Sequence, residues 1–187
     1  MSRNKPLATF GKSYVTWLSR FKAHDEVIDI AGHLSRARRA LLILPRTESE
    51  FDLALDLHKR FLKQFPNLSS LYLVHEEFKS KLPATMREKA ITITQDDITT
   101  FGIPKRTLIN RLSKDKFDLI IDLNSTYDQV STFLVSKLDA VLRICLSHPN
   151  RDKFYNFLIR TSDQTPVNKR YDHLLRYLRT PVGAGAA

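Results

Sequence analysis

The chain has 187 residues, of which 42% are hydrophobic and 27% charged, and these proportions are typical of a folded protein rather than a disordered one. A single cysteine excludes an internal disulfide and a cysteine-rich metal site, and no apolar run approaches the ~20 residues that cross a bilayer. The formal net charge of +10 favours an acidic or phosphorylated partner. We therefore expect a soluble cytoplasmic protein, with a peripheral position at the inner face of the membrane as the alternative.

Residues 1–35 are predicted to form an amphipathic helix and a lead-in to the domain. Five apolar side chains recur there at helical spacing and form one stripe: Phe10, Tyr14, Trp17, Leu18 and Phe21. The stripe favours a helix that packs on the domain. A helix that lies on a membrane surface is the alternative, because aromatic residues opposite Lys and Arg are typical of such helices.

The rest of the chain alternates between predicted strands and helices. The apolar run Ala40–Leu44 predicts a first strand that is buried on both faces. Leu53, Leu57, Phe61 and Leu62 mark the apolar side of the next helix, which Pro66 ends. Further strands are predicted at Leu71–Val74, Ala90–Thr94, Phe117–Leu123, Ala140–Leu146 and Phe154–Ile159. Further helical segments are predicted around Pro83–Lys89, Leu108–Asp115, Val130–Leu138 and Val167–Arg179, with a turn at Phe101–Pro104.

This alternation predicts an α/β fold of three layers, a Rossmann-like, mostly parallel sheet with helices on both faces. The first and fourth strands are expected to be neighbours at the switch point, where the strand order reverses. One domain is predicted over residues 36–180, followed by a flexible tail at residues 181–187.

Ligands of such folds bind beyond the carboxyl ends of the strands, so polar residues there are the candidate site. Glu50 and Asp122 are the candidate catalytic carboxylates, because a carboxylate near His75 or His148 could do acid–base work. The candidate ligand-binding residues are Arg46, Thr47, His75, Asn124 and His148. The alternative is structural, since Asp and Asn at strand ends commonly cap helices and Glu in a first helical turn favours the helix dipole.

The loop after the first strand predicts that no dinucleotide binds in the usual way. It contains no glycine and carries three acidic residues, Glu48, Glu50 and Asp52, which would repel a phosphate at the helix N-terminus. The familiar nucleotide-binding, nucleophile-elbow and zinc motifs are also absent from the sequence. We expect no cofactor and no metal site. Asp96 and Asp97 could help to bind Mg²⁺, but an acidic pair is more often a helix cap.

Basic residues gather on two predicted helices. The last helix carries Lys169, Arg170, His173, Arg176 and Arg179, and an earlier segment carries Lys105, Arg106, Arg111, Lys114 and Lys116. The structural interpretation of either group is the ordinary solvent-exposed side of a helix. The functional alternative is an anionic partner, which could be nucleic acid, a phosphorylated glycan or a membrane surface, bound in a salt-sensitive manner.

From Arg38 to about Arg160 the chain resembles the amino-terminal Rossmann lobe of the lipopolysaccharide heptosyltransferases. The resemblance rests on Ala40–Leu44, on the helix end Phe61–Pro66, on Phe117–Asn124 and on Arg143-Ile144. It implies that Glu50 stands where that family has the catalytic aspartate of a Leu-Gly-Asp motif, whose glycine this chain lacks. It also implies that a second, donor-binding lobe would have to come from outside this chain. The same outline resembles a group of single-domain bacterial proteins more closely.

Three functions remain open at this point. The leading interpretation is a Rossmann-like module without catalysis that binds an anionic partner or another protein subunit. The alternatives are a glycosyltransferase-like enzyme completed by a partner's donor lobe, with Glu50 as base, and an RNA- or ribosome-associated protein.

Overall fold

A computed structural model describes residues 29–162 and 164–179, so the predicted amino-terminal helix and the predicted flexible tail lie outside the described residues. The six strands are β1 (Arg39–Ile43), β2 (Ser69–His75), β3 (Ala90–Ile93), β4 (Phe117–Asp122), β5 (Ala140–Leu146) and β6 (Phe157–Ile159). The helices are α1 (Ile30–Arg36), α2 (Glu48–Gln64), α3 (Ala84–Arg87), α4 (Arg106–Leu112), α5 (Gln129–Lys137) and α6 (Val167–Arg179). Short 3₁₀ turns lie at Glu76–Lys81, Gln95–Asp97 and Asp152–Phe154.

The strands form one sheet in the order β3-β2-β1-β4-β5-β6, and every pairing between them is parallel. The predicted Rossmann-like fold is therefore confirmed. β1 and β4 are neighbours, in a register that pairs Ala40 with Leu119 and Ile43 with Asp122. The switch point accordingly lies between the loops that follow these two strands.

Both faces of the sheet are covered, because successive residues of a buried strand point to opposite layers. In β1 and just after it, Leu42 and Leu44 join one core cluster, with residues of α2 and α6, while Leu41 and Ile43 join the other, with residues of α4 and α5. All four side chains are at most 3% exposed. Among the described residues, no helix has the length and apolar character that crossing a membrane requires.

Three details differ from the sequence prediction. The loop after β1 is shorter than the run from Pro45 to Asp52, because α2 already begins at Glu48. The last strand begins at Phe157 rather than Phe154, since a 3₁₀ turn occupies Asp152–Phe154. Helix α1 was not predicted, yet its Leu34 is buried in the first core cluster.

One buried histidine makes stability depend on pH. The Nε2 atom of His58 lies 2.6 Å from the Tyr72 hydroxyl, and burial lowers the pKa of His58 from 6.5 to about 4. The native state therefore keeps the ring neutral, whereas the unfolded chain takes up a proton below pH 6.5. Stability from this group is complete above pH 6.5 and is lost as the pH falls towards 4.

Acidification from pH 7 to pH 5 is expected to lower the free energy of unfolding by about 2 kcal/mol through His58, from the pKa difference between the two states. Urea titrations at several pH values measure this slope. His58→Gln should flatten it by that amount while it keeps a polar partner for Tyr72. A variant with the wild-type slope would show that His58 does not carry the dependence.

Candidate functional site

The crevice at the switch point is bridged by Glu50, which stands in the first turn of α2. Its carboxylate accepts hydrogen bonds from the Ser125 hydroxyl at 2.6 Å and from the Ser125 amide at 3.1 Å. Ser125 follows β4, so these bonds join the first turn of α2 to the loop after β4, the two segments whose separation would admit a ligand. Glu48, on the same turn, instead forms an ion pair with Lys81 and is largely exposed.

A second contact across the crevice involves Arg46. Its guanidinium lies 3.8 Å from the Asp128 carboxylate, which also accepts a hydrogen bond from the Ser131 amide and so caps α5. Burial raises the pKa of Asp128, while the Ser131 amide and the Arg46 charge act in the opposite direction. Thr47, beside Arg46, is the N-cap residue of α2, but its side chain makes no capping bond.

Asp122, the other predicted catalytic carboxylate, is 0% exposed at the end of β4. It accepts hydrogen bonds from the Tyr155 hydroxyl at 2.6 Å and from the side-chain amide of Asn124 at 2.7 Å. Burial, and then the charge of Asp122, raise the pKa of Tyr155 well above its usual value. Asp122 and Asn124 therefore hold a buried network together and do not face an open cleft.

Arg151 completes this network and is also 0% exposed. It lies 3.6 Å from Asp122 and donates to the carbonyl oxygens of Leu146, Asn124 and Thr126. It thereby ties the loops after β4 and β5 together. The sequence prediction missed this residue, because an arginine in the polar run from Ser147 to Asp152 carries no local sign of burial.

A cavity of about 480 Å³ opens beyond the carboxyl ends of β2 and β3, and it brings together two of the predicted residues, Arg46 and His75. The described residues that line it are acidic on balance, because they include Glu76 and Glu77 but one cation, Arg46. Burial, and then the Arg46 charge, lower the pKa of His75 to about 4, so this ring is neutral at neutral pH. The cavity is thus poorly suited to a phosphate.

The remaining candidates at this edge are held by local contacts. The His148 ring stacks on Tyr127 with 5.9 Å between centroids, and its Nδ1 atom accepts from the Asn150 amide. Asp97 forms a capping box with Thr94, which is the helix-cap alternative to a magnesium site. Within residues 29–162 and 164–179, no group of three His, Cys, Asp or Glu side chains could hold a metal ion.

Cations gather at the opposite edge of the sheet, where α2 and α6 end. A groove of about 510 Å³ runs between the two helix ends and is lined by Arg60, Lys63, Gln64, Phe65, Leu178 and Arg179. A second groove of about 270 Å³ continues from Gln64 and Phe65 to Arg38. These two connected grooves are here called the basic groove, and the described residues that line them include four cationic side chains and no acidic one.

The predicted basic residues of α6 are not all part of this groove. Arg179 lines it, whereas Lys169 lies 4.0 Å from Asp172 within its own helix. The Arg170 side chain donates to the Thr165 carbonyl, and the Arg176 guanidinium lies 5.6 Å from the centre of the Tyr177 ring. The sequence prediction did not include Arg38, Arg60 or Lys63, because these residues join Arg179 only in the folded chain.

Two solved structures match this fold, both of them E. coli heptosyltransferase WaaC. The structure with ADP-2-deoxy-2-fluoro heptose matches with a TM-score of 0.58 and 14% identity over 74% of this chain and 47% of that chain. The structure with ADP matches with a TM-score of 0.57 and 14% identity over 78% of this chain and 47% of that chain. The predicted resemblance to a heptosyltransferase lobe is confirmed at the level of fold.

The chain spans about half the length of these heptosyltransferase chains. No curated protein matches the sequence. A family model described as a family of unknown function, DUF6913, matches residues 19–180, which is most of the chain. The chain therefore belongs to the DUF6913 family.

Proposed function

We propose that this protein is a Rossmann-like binding module without catalysis whose partner is anionic. The observation that carries the proposal is the pair of hydrogen bonds between Glu50 and Ser125. They occupy the carboxylate that would serve as a base, and they join the start of α2 to the loop after β4, between which a ligand of this fold would enter.

The distribution of charge supports an anionic partner. The net charge is +10, yet the cavity at the usual ligand edge carries Glu76 and Glu77 against Arg46. Four cations of the described chain line the basic groove at the opposite edge. A partner that is attracted by the net charge would therefore meet cations away from the carboxyl ends of the strands.

Glu50→Gln is expected to lower the free energy of unfolding by about 1 kcal/mol, because hydrogen bonds to a charged acceptor contribute more than those to a neutral one. Urea denaturation measures the change. The matched control is Glu48→Gln, since Glu48 stands on the same helical turn with a side chain that is 74% exposed. That control should stay within about 0.5 kcal/mol of the wild type.

Titration calorimetry with nucleotide sugars tests the absence of catalysis at the same residue. We expect no heat from wild type or from Glu50→Gln. Binding of a nucleotide sugar that Glu50→Gln weakens would contradict the proposal. Retention of the wild-type protein on a heparin column is the separate test of an anionic partner. A protein that passes through heparin at low salt would contradict the second half of the proposal.

The second candidate is a glycosyltransferase-like enzyme of the heptosyltransferase type. It is favoured by the likeness of fold to heptosyltransferase structures and by the place of Glu50 in the first turn of α2. A partner subunit would supply the donor lobe, and Glu50 would leave Ser125 to act as base. Donor binding that appears only when a co-purifying subunit is present would favour this candidate.

A further inference from the structure

The basic groove differs from a solvated basic face because its cations line a concavity. Lys63 and Arg179 are exposed, and neither makes an ion pair within the described ranges 29–162 and 164–179. Arg60 also lines the groove but pairs with Asp172 at 2.6 Å. Among the described residues, no carboxylate thus competes with a ligand for Lys63 and Arg179, and Arg60 has a partner that a stronger anion could replace.

Two acidic side chains near the groove, Asp172 and Asp118, already accept hydrogen bonds from other residues. The Asp172 carboxylate accepts from Arg60, and the Asp118 carboxylate accepts from the backbone amides of Arg38 and Arg39 at 2.8 and 3.0 Å. Neither acid lines the groove. Within the part of the chain that the structure describes, no carboxylate on the wall therefore offsets the positive charge of the groove.

Arginine accounts for three of the four cations, Arg38, Arg60 and Arg179. The guanidinium fork matches two oxygens of one phosphate, which makes arginine the usual choice for phosphate recognition. These cations line a concavity between two helix ends rather than a flat face, which favours a flexible chain of phosphates over the plane of a membrane surface. A single strand can follow such a groove, and Phe65 is the aromatic side chain among the described residues that line it.

From these features we infer that the basic groove binds the phosphate backbone of a single-stranded nucleic acid. The inference rests on the proposed anionic partner and names its class. Because these cations would contact phosphates, which are the same in every nucleotide, binding should be independent of the base sequence. For a single strand, the logarithm of the affinity should fall with the logarithm of salt with a slope of about −3.

Fluorescence anisotropy of the full chain with a labelled oligouridylate tests the inference. Lys63→Glu combined with Arg179→Glu should weaken binding at least about tenfold and reduce the salt slope by about 1.4, which corresponds to two lost phosphate contacts. The matched control is Lys105→Glu with Arg106→Glu, which changes the net charge equally at the start of α4. It should keep the affinity within about threefold of wild type, since only the long-range field changes. Circular dichroism confirms that both variants are folded.

The outcomes separate the groove from the broader proposal. Equal losses in the groove and control variants would overturn the groove as the site. A protein that is retained on heparin but does not bind the oligonucleotide would overturn nucleic acid as the partner and leave an anionic partner in place. Polyglutamate or anionic lipid vesicles that displace the oligonucleotide from the groove at lower charge concentration would likewise identify a different partner. Failure on heparin as well would remove the proposed function itself.

Discussion

Arg151→Met is expected to lower the free energy of unfolding by about 3–5 kcal/mol, because it leaves the Asp122 carboxylate without its cation in a fully buried position. The same substitution removes the donors that bond the carbonyl oxygens of Leu146, Asn124 and Thr126. These carbonyls would lose their arginine partner inside the protein, which adds to the cost. Urea or thermal unfolding followed by circular dichroism measures the change.

Two further variants separate charge from geometry. Arg151→Lys keeps the charge but cannot reach all three carbonyl oxygens, so we expect a smaller loss than for methionine, yet one above about 1 kcal/mol. Combining Arg151→Met with Asp122→Asn removes both charges, and the loss should be smaller than the sum of the single losses by about 0.5–3 kcal/mol. Additive losses, or a cost below about 1 kcal/mol for Arg151→Met, would show that the pair is not coupled.

Prediction from the sequence placed the first strand correctly but did not predict the burial of Arg151. The strand Ala40–Leu44 could be placed to within one residue, because five successive apolar residues bounded by charge and proline indicate a strand covered on both faces. The pairing of β1 with β4 followed from the alternation of strands and helices. The burial of Arg151 followed from neither, since its partners lie at the end of β5 and in the loop after β4, which meet only after folding.

The candidate site was predictable in part for the same reason. The sequence placed Glu50 and Asp122 at the carboxyl edge, because every parallel strand ends there. It could not show that Glu50 would be bound by Ser125, or that Asp122 would be enclosed with Arg151. These contacts depend on side-chain positions across the sheet, which local patterns do not encode.

The basic groove was missed because it is a tertiary feature. Lys63 lies in the last turn of α2 and Arg179 ends α6 far along the chain, and the contact between the two helices brings these residues to one groove. A charge pattern along one helix detects only residues that share its face. The prediction therefore included Arg179 with its helical neighbours and left out Lys63.

Phe61→Ala is expected to lower the free energy of unfolding by about 3–5 kcal/mol, whereas Leu62→Ala should cost less than about 1 kcal/mol. Both residues fit the apolar pattern of α2 in the sequence, yet Phe61 is 1% exposed and Leu62 is 39% exposed. Phe61 also packs against Phe65, with 4.9 Å between ring centroids. Chemical denaturation of the two variants under one set of conditions measures the difference.

This pair of neighbours tests the orientation of α2 on the sheet, on which the groove depends. Phe65 lines the groove, and its ring contact with the buried Phe61 helps to hold the end of α2 in place. Leu62→Ala should leave oligonucleotide binding unchanged, because it removes no cation and little buried surface. A loss for Leu62→Ala as large as that for Phe61→Ala would mean that α2 is rotated about its axis. In that case Lys63 would not point into the groove, and the proposed nucleic-acid site would be wrong.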